Sequence, residues 1–359
     1  MVRALTPLER VEVAATRAVA ALPPAVKRRI AGEPIRRDGL ELDLDTQLLL
    51  KLAERNLRPL RTLTLQESRE EIRHVVRVIE GAPVPGVQTS ELSVAGAEGA
   101  LRARLYVPAA AAHDGESSPL VVYYHGGGWV RGDLDTHEQP CRVLARSSGA
   151  RVLSVDYRLA PEHPFPAAVD DALAAFRDAV ARAEELRVDP ERIAVAGDSA
   201  GGHLAAVTCQ LCAADGGPAP AFHLLIYPAT DFSREAPSRL LFAEGFILTK
   251  EDMDWYEERF LGSYSDRSDP RLSPLLADDL SGVAPALVVT AGFDLLRDEG
   301  EAYAQRLREA GVRTILRRHP GYVHGFIHAL AFGGASGEAL AEMGGVLRAN
   351  LAAPAFVTR

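Results

Sequence analysis

From about residue 90 onward, short apolar runs alternate with longer segments whose apolar residues recur every three or four positions. The runs predict strands over residues 91–95, 101–107, 120–124, 151–156, 192–196, 222–227, 286–291 and 313–319. Gly96 and Gly99 mark a hairpin between the first two. Helices are predicted over 136–148, 167–185, 202–214 and 299–310. Apolar runs joined through helices of this length specify a mostly parallel sheet covered on both faces, an α/β architecture. Ahead of it, residues 8–26 and 44–57 show helical spacing, punctuated by Pro23-Pro24, Gly32 and Pro34. A Pro/Gly-rich linker spans 81–86, and an alanine-rich one lies around 109–112. One interval breaks the alternation. Between Tyr227 and Ala286 there is no strand, only turn-rich sequence and an aromatic-rich helix over 250–261. An insertion after a sheet strand sits above the strand ends, where open α/β sheets bind ligands.

Composition narrows the function classes. With 359 residues, 47% hydrophobic and 25% charged, the chain can bury a large core as an ordinary globular protein. A net charge of −9 disfavours nucleic acid as a partner, and no Lys/Arg-rich run opposes that. Cys141, Cys209 and Cys212 are odd in number and lack metal-ligand neighbours, so no disulfide framework is expected. The Cys209–Cys212 spacing falls inside a predicted helix and reads as buried packing. No stretch approaches the roughly twenty apolar residues of a membrane span. Arg10, Glu12 and Arg17 interrupt the apolar N-terminus, and a cytoplasmic location is the expectation.

The chemistry is carried by two glycine-rich turns. Gly197-Asp198-Ser199-Ala200-Gly201 joins an apolar run to a helix, the context in which G-x-S-x-G forms a sharp elbow with its serine at the tip. Upstream, His125-Gly126-Gly127-Gly128-Trp129 follows another apolar run, where glycines let backbone N–H groups lie close to a substrate. Together they point to a serine hydrolase. Such chemistry needs a base and a carboxylate, in the chain order Ser, acid, His. Asp294 lies three residues past an apolar run, with Asp298 and Glu299 as rivals placed where carboxylates start a helix. Among His319, His324 and His328, the loop residue His324 is the expected base; His319 closes a strand and His328 is a packed or surface residue. His125 is expected to brace the glycine loop, and Asp198 to make a structural hydrogen bond. Asp156 and Arg158 are read as an ion pair holding a loop.

Four segments carry a family resemblance: His125–Trp129, Asp156-Tyr157-Arg158-Leu159-Ala160-Pro161-Glu162, Gly197–Gly202 and Tyr227-Pro228-Ala229-Thr230-Asp231. They resemble the hormone-sensitive-lipase-like branch of the α/β-hydrolases, over roughly residues 85 to 355. The resemblance implies an eight-stranded α/β-hydrolase sheet with a helical cap in two parts, here 1–75 and the insertion 231–265, on a catalytic domain of 85–230 and 266–359. It implies backbone amides of Gly127, Gly128 and Ala200 as the oxyanion hole, with His125, Gly126, Gly197, Asp198 and Gly201 as supporting motif residues. The expected activity is carboxylic ester hydrolysis on short- to medium-chain acyl esters by Ser199, His324 and Asp294, with no metal or cofactor. A small-molecule ester is the expected partner, and a homodimer is allowed. An amidase or transacylase on the same triad is the near alternative; a receptor on a disabled scaffold is the distant one, and an intact Ser199, Asp294 and His324 argues against it.

Overall fold

A computed structural model describes residues 6–56, 58–111, 117–332 and 334–352; the predicted positions 57 and 112 and the last seven residues lie outside these. The chain opens with α1 (Pro7–Ala20), α2 (Pro24–Ala31), a two-stranded hairpin of β1 (Arg36–Arg37) and β2 (Leu40–Glu41), then α3 (Leu44–Asn56) and α4 (Leu65–Ile79). The sheet region follows as β3 (Val87–Gly96), β4 (Gly99–Pro108), β5 (Ser118–Tyr124), α5 (Glu138–Ser148), β6 (Arg151–Val155), α6 (Ala167–Ala181), β7 (Val188–Asp198) and α7 (Ala200–Asp215). After β8 (His223–Ile226) come α8 (Pro237–Leu241) and α9 (Lys250–Leu261), and the fold closes with β9 (Ala286–Phe293), α10 (Arg297–Glu309), β10 (Thr314–Val323) and α11 (Gly334–Asn350).

β3 to β10 form one eight-stranded sheet in the order β10-β9-β8-β7-β5-β6-β4-β3. β3 and β4 pair antiparallel, β4 meets β6 antiparallel, and every other pairing is parallel. Each central strand sends alternate residues to opposite faces, as period-2 geometry requires. Leu120, Val122, Ile193 and Val195 join the cluster under α6, α7 and α10. Val121, Tyr123, Ala194 and Ala196 join the one under α5 and α11. This is an α/β-hydrolase fold. Among the described residues no helix is long and apolar enough to cross a membrane.

Local chemistry explains where the sequence reading and the structure part. The helix expected over 8–26 is two, because Pro24 cannot donate within a helix and instead takes the first position of α2. α4 escaped the reading, although Thr64 and Glu67 form a reciprocal capping box at its start. The Asp38-Gly39 turn between β1 and β2 is likewise a recognisable hairpin signal, with φ +55° and +72°. His319 does not end the sheet. The register breaks at Pro320, which lacks an N–H, and pairing resumes at Val323 opposite Phe293.

Charged contacts fasten the peripheral helices. Arg69 of α4 forks onto Glu162 with both bonds at 2.7 Å, Arg73 pairs with Asp133, and Arg77 holds Glu9 of α1 at 2.8 Å. The insertion is held by a buried group in which Arg239 of α8 bridges Glu257 of α9 (3.0 Å) and Glu299 of α10 (3.1 Å). Glu299 also accepts the Thr230 N–H at 2.8 Å.

Removing Arg239 takes the cation from Glu299. Arg239→Met keeps the stem but leaves the buried Glu299 carboxylate unpaired, while Glu257 keeps Arg267 at 2.6 Å, at a cost of about 3–5 kcal/mol. Burial already pushes the Glu299 carboxyl up to about 7 against the pull of Arg239. Without that pull the folded variant binds a proton more tightly than the unfolded chain, so its stability falls as pH rises above the unfolded value. Thermal unfolding at pH 5 and pH 8 should show a lowered midpoint at both, with the larger deficit at pH 8. Equal deficits would show that Glu299 does not take up the proton.

Candidate active site

The elbow forms because two backbones nearly touch. Ser199 sits between the end of β7 and the start of α7 with φ +54° and ψ −117°, a strained conformation for a residue with a side chain. Its N–H donates to the Ile226 carbonyl of β8 at 2.8 Å, fixing the turn to the sheet. A Cβ on Gly201 would overlap the Tyr124 carbonyl, so α7 can start this close to β5 only with glycine there.

The strand tips of β9 and β10 supply the other two groups. Asp294 follows β9 and is buried, with Oδ1 accepting the Leu296 N–H at 2.9 Å. Its Oδ2 lies 2.8 Å from His324 Nδ1, and His324 Nε2 lies 2.9 Å from Ser199 Oγ. The three groups therefore form one hydrogen-bonded line from carboxylate to hydroxyl. The rivals are committed elsewhere. Asp298 accepts the Ser238 N–H and pairs with Arg297, and Glu299 belongs to the Arg239 group. His319 stacks on Tyr322, with ring centroids 5.3 Å apart and planes 10° apart.

The glycine loop follows β5. The N–H groups of Gly127, Gly128 and Ala200 donate to no other group among the described residues. Gly128 has φ +63°, and a Cβ there would overlap the Tyr256 ring of α9. Trp129 stacks on Phe260 of α9, with centroids 4.2 Å apart and planes 8° apart. His125 Nδ1 lies 2.8 Å from the Gly126 carbonyl, and burial, aided by neighbouring His137, pushes its imidazole down to about 4. A neutral ring there acts as a brace rather than as a charged group.

Asp198 points away from Ser199 into the loop. Its Oδ1 accepts the Tyr123 hydroxyl at 2.7 Å and the Gly126 N–H at 2.9 Å, and lies 3.0 Å from His137 Nε2. Burial opposes its charge, yet His137 and the hydrogen bonds overcome that and hold the carboxyl below the usual range. Burial pushes His328 down to about 3, with its ring edge against His137 at 4.7 Å. The sequence reading did not connect these groups, since only the fold brings positions 137, 198 and 328 together. It also paired Asp156 with Arg158, and this is corrected. Arg158 turns to the fully buried Asp171 (2.8 Å), whose charge would otherwise be uncompensated, and to Glu98 (2.8 Å), while Asp156 lies 3.5 Å from Arg102.

Ser199, His324, Gly127 and Gly128 open onto a cavity of about 1060 Å³. Its lining also takes residues from α1, α3 and α4 (Val19, Leu49, Leu52, Val75, Ile79) and from the insertion (Ile247, Leu248, Met253, Tyr256). The other aromatics of the insertion pack inward instead. Phe242 and Phe246 lie against Phe293, and Trp255 is buried under Arg259.

A family model described as alpha/beta hydrolase fold matches residues 121–328. The carboxylic ester hydrolase LipN of Mycobacterium tuberculosis is 46% identical over 338 residues, covering 91% of this chain and 88% of that relative. The ethyl acetate hydrolase of Pseudomonas putida is 40% identical over 271 residues, 75% of this chain and 85% of its own. Among solved structures, an alpha/beta hydrolase enzyme from the metagenome of Lake Arreo, Spain, superposes with a TM-score of 0.82 at 46% identity, covering 86% of this chain and 98% of that one. A thermostable esterase from Pseudomonas putida superposes with a TM-score of 0.83 at 34% identity, over 87% of this chain and 98% of that one.

The fit of Tyr256 over Gly128 generates a test. Gly128→Ala places a methyl group where the ring lies, so the loop must shift and its N–H groups with it. If the loop's N–H groups hold a developing oxyanion, hydrolysis of p-nitrophenyl acetate falls by at least about a hundredfold. Circular dichroism should stay that of the parent. Turnover within a few-fold of the parent would show that the loop's position does not matter.

Proposed function

The chain belongs to the α/β-hydrolase fold family, and on that premise we propose that it hydrolyses carboxylic esters through an acyl-enzyme on Ser199. The observation that carries this reading is the unbroken line from Asp294 through His324 to Ser199 Oγ, with hydrogen bonds of 2.8 and 2.9 Å. Relatives named as ester hydrolases over most of this chain's length support it.

In this reading Ser199 Oγ attacks the ester carbonyl while His324 Nε2 takes its proton. Asp294 holds Nδ1–H, so the lone pair of Nε2 faces the serine, and it stabilises the imidazolium that forms. The negative charge on the carbonyl oxygen falls to the amides of Gly127, Gly128 and Ala200, which donate to no other group among the described residues. His324 then protonates the departing alcohol. Water repeats the sequence, deprotonated by His324, and releases the acid.

The helices of residues 1–75 and the insertion 231–265 act as a two-part cap in this proposal. Both contribute apolar side chains to the cavity onto which Ser199 opens, and a dry lining is what an acyl chain requires. A cavity of about 1060 Å³ lies just above the range of about 300–1,000 Å³ usual for ligand sites, room enough for short- to medium-chain acyl esters.

Two experiments bear on this function. Ser199→Ala and His324→Gln should each lower turnover by at least about a thousandfold, and Asp294→Asn by about ten-thousandfold, while His319→Gln keeps the parental rate. A serine-directed phosphonate should label the parent and spare Ser199→Ala; labelling of that variant would reject the nucleophile. For the cap, Met253→Trp fills part of the cavity. It should depress kcat/KM for octanoyl esters at least about tenfold more than for acetyl esters. An unchanged chain-length profile would remove the insertion from the acyl site.

A further inference from the structure

Asp294 stands on a turn that both peripheral segments grip. The turn carries the chain from β9 into α10, and Arg297, buried at the start of α10, closes it on itself. The Arg297 N–H donates to the Asp294 carbonyl at 3.2 Å, and Nη1 donates to the Gly292 carbonyl at 3.2 Å. The other edges of the guanidinium reach outward. Nε donates to Asp298 Oδ1 at 2.8 Å, and Nη2 pairs at 2.9 Å with Asp38 Oδ2, in the turn of the β1–β2 hairpin. Phe242 of the insertion faces the same guanidinium, with its ring centroid 5.1 Å away. From α8, Ser238 Oγ donates to the Leu295 carbonyl at 2.8 Å and accepts the Asp298 N–H at 3.1 Å.

The hairpin is anchored where the triad is assembled. Leu40 of β2 lies so near Gly292 that a Cβ there would touch its side chain. Just past β2, the Asp43 N–H donates to the Gly321 carbonyl of β10 at 3.0 Å. Arg37 reaches the other way, to the Leu241 carbonyl of α8 at 2.8 Å, with its guanidinium over the Phe246 ring. An isolated two-stranded hairpin is marginal in water, so these contacts hold it in place. It lies across the ends of β9 and β10, the two strands that lead into Asp294 and His324.

We infer that Arg297, held by Asp38, is a positioning residue for the triad, and that the N-terminal hairpin therefore serves turnover as well as the shape of the cavity. Arg297 is not among the residues that border the cavity, and it acts through the backbone of 292–294. The Asp294 carboxylate serves the imidazole only while Oδ2 stays in line with Nδ1, 2.8 Å away. A displacement of about 1 Å in a supporting residue is enough to cost a large factor in rate. The inference rests on the esterase reading of Ser199, His324 and Asp294.

The test compares full-length variants, each checked for folding by circular dichroism. Arg297→Lys keeps the cation but loses the planar fork that spans the Gly292 carbonyl, Asp298 and Asp38. It should lower kcat for p-nitrophenyl acetate at least about fivefold, with KM within about twofold of the parent, and Arg297→Met should lower it further. Asp38→Asn keeps the left-handed turn, which asparagine adopts readily, and should lower kcat about twofold to threefold. Arg36→Gln, on the same hairpin but paired with the exposed Glu41, should keep the parental values.

A residue that only braced the fold would leave the imidazole unchanged. With the carboxylate out of line the imidazolium is less stabilised, so the acid limb of kcat/KM should move at least about half a pH unit lower in Arg297→Lys. The other titratable rings near His324, Tyr227 at 4.6 Å and the neutral His328, are untouched by these substitutions. Without substrate, the low-field proton resonance of the His324–Asp294 hydrogen bond, identified by its absence in His324→Gln, should shift in Arg297→Lys. Parental kcat in folded Arg297→Lys overturns the inference, and so does a lowered kcat with limb and resonance unmoved. Either result leaves the hydrolase reading standing, since that reading is judged on Ser199→Ala.

Discussion

The architecture around the site depends on one close approach, the crossing of the start of α7 over the end of β5. Gly201 passes so near the Tyr124 carbonyl that any side chain would collide, and Ser199 must adopt φ +54° to make the turn. A conformation of that kind costs on the order of 1–3 kcal/mol and persists only where its surroundings dictate it. Here the parallel sheet does so, through the Ser199 N–H bonded to β8 and an α7 buried along its first turns. Once the turn is fixed, the rest follows by proximity. Asp198 is thrown toward the glycine loop and Ser199 toward the tips of β9 and β10, where Asp294 and His324 wait.

Much of this was legible because it is local. An apolar run read as a buried strand, a glycine-flanked serine read as an elbow, and a carboxylate just past a strand end are decided within a few residues. Ser199, Asp294 and His324 were singled out this way, and the fold brings them into hydrogen-bonding distance. The insertion helix was legible at 250–261 from its aromatic spacing. What stayed hidden was set by distant partners. Arg158 was paired with its near neighbour Asp156 because the buried Asp171 could not be seen from sequence. α4 was hidden differently. Its apolar positions are diluted by Glu and Arg, and those charges have their meaning only when Arg69 meets Glu162 and Arg73 meets Asp133.

The peripheral helices are joined to the body by two unlike kinds of contact. Around the cavity they meet it through aliphatic side chains, which tolerate small sliding. Elsewhere they are pinned by directional charge: Arg69 on the exposed Glu162 at the N-terminal side, and Arg239 buried between Glu257 and Glu299 at the insertion.

Tyr256 and Phe260 lie one helical turn apart on α9, and they rest on Gly128 and Trp129, adjacent residues of the glycine loop. The insertion is therefore not a detachable module laid over the sheet: a change of shape in α9 is felt at the strand-end loop, and a change in the loop is felt in α9, because the two share one packing surface.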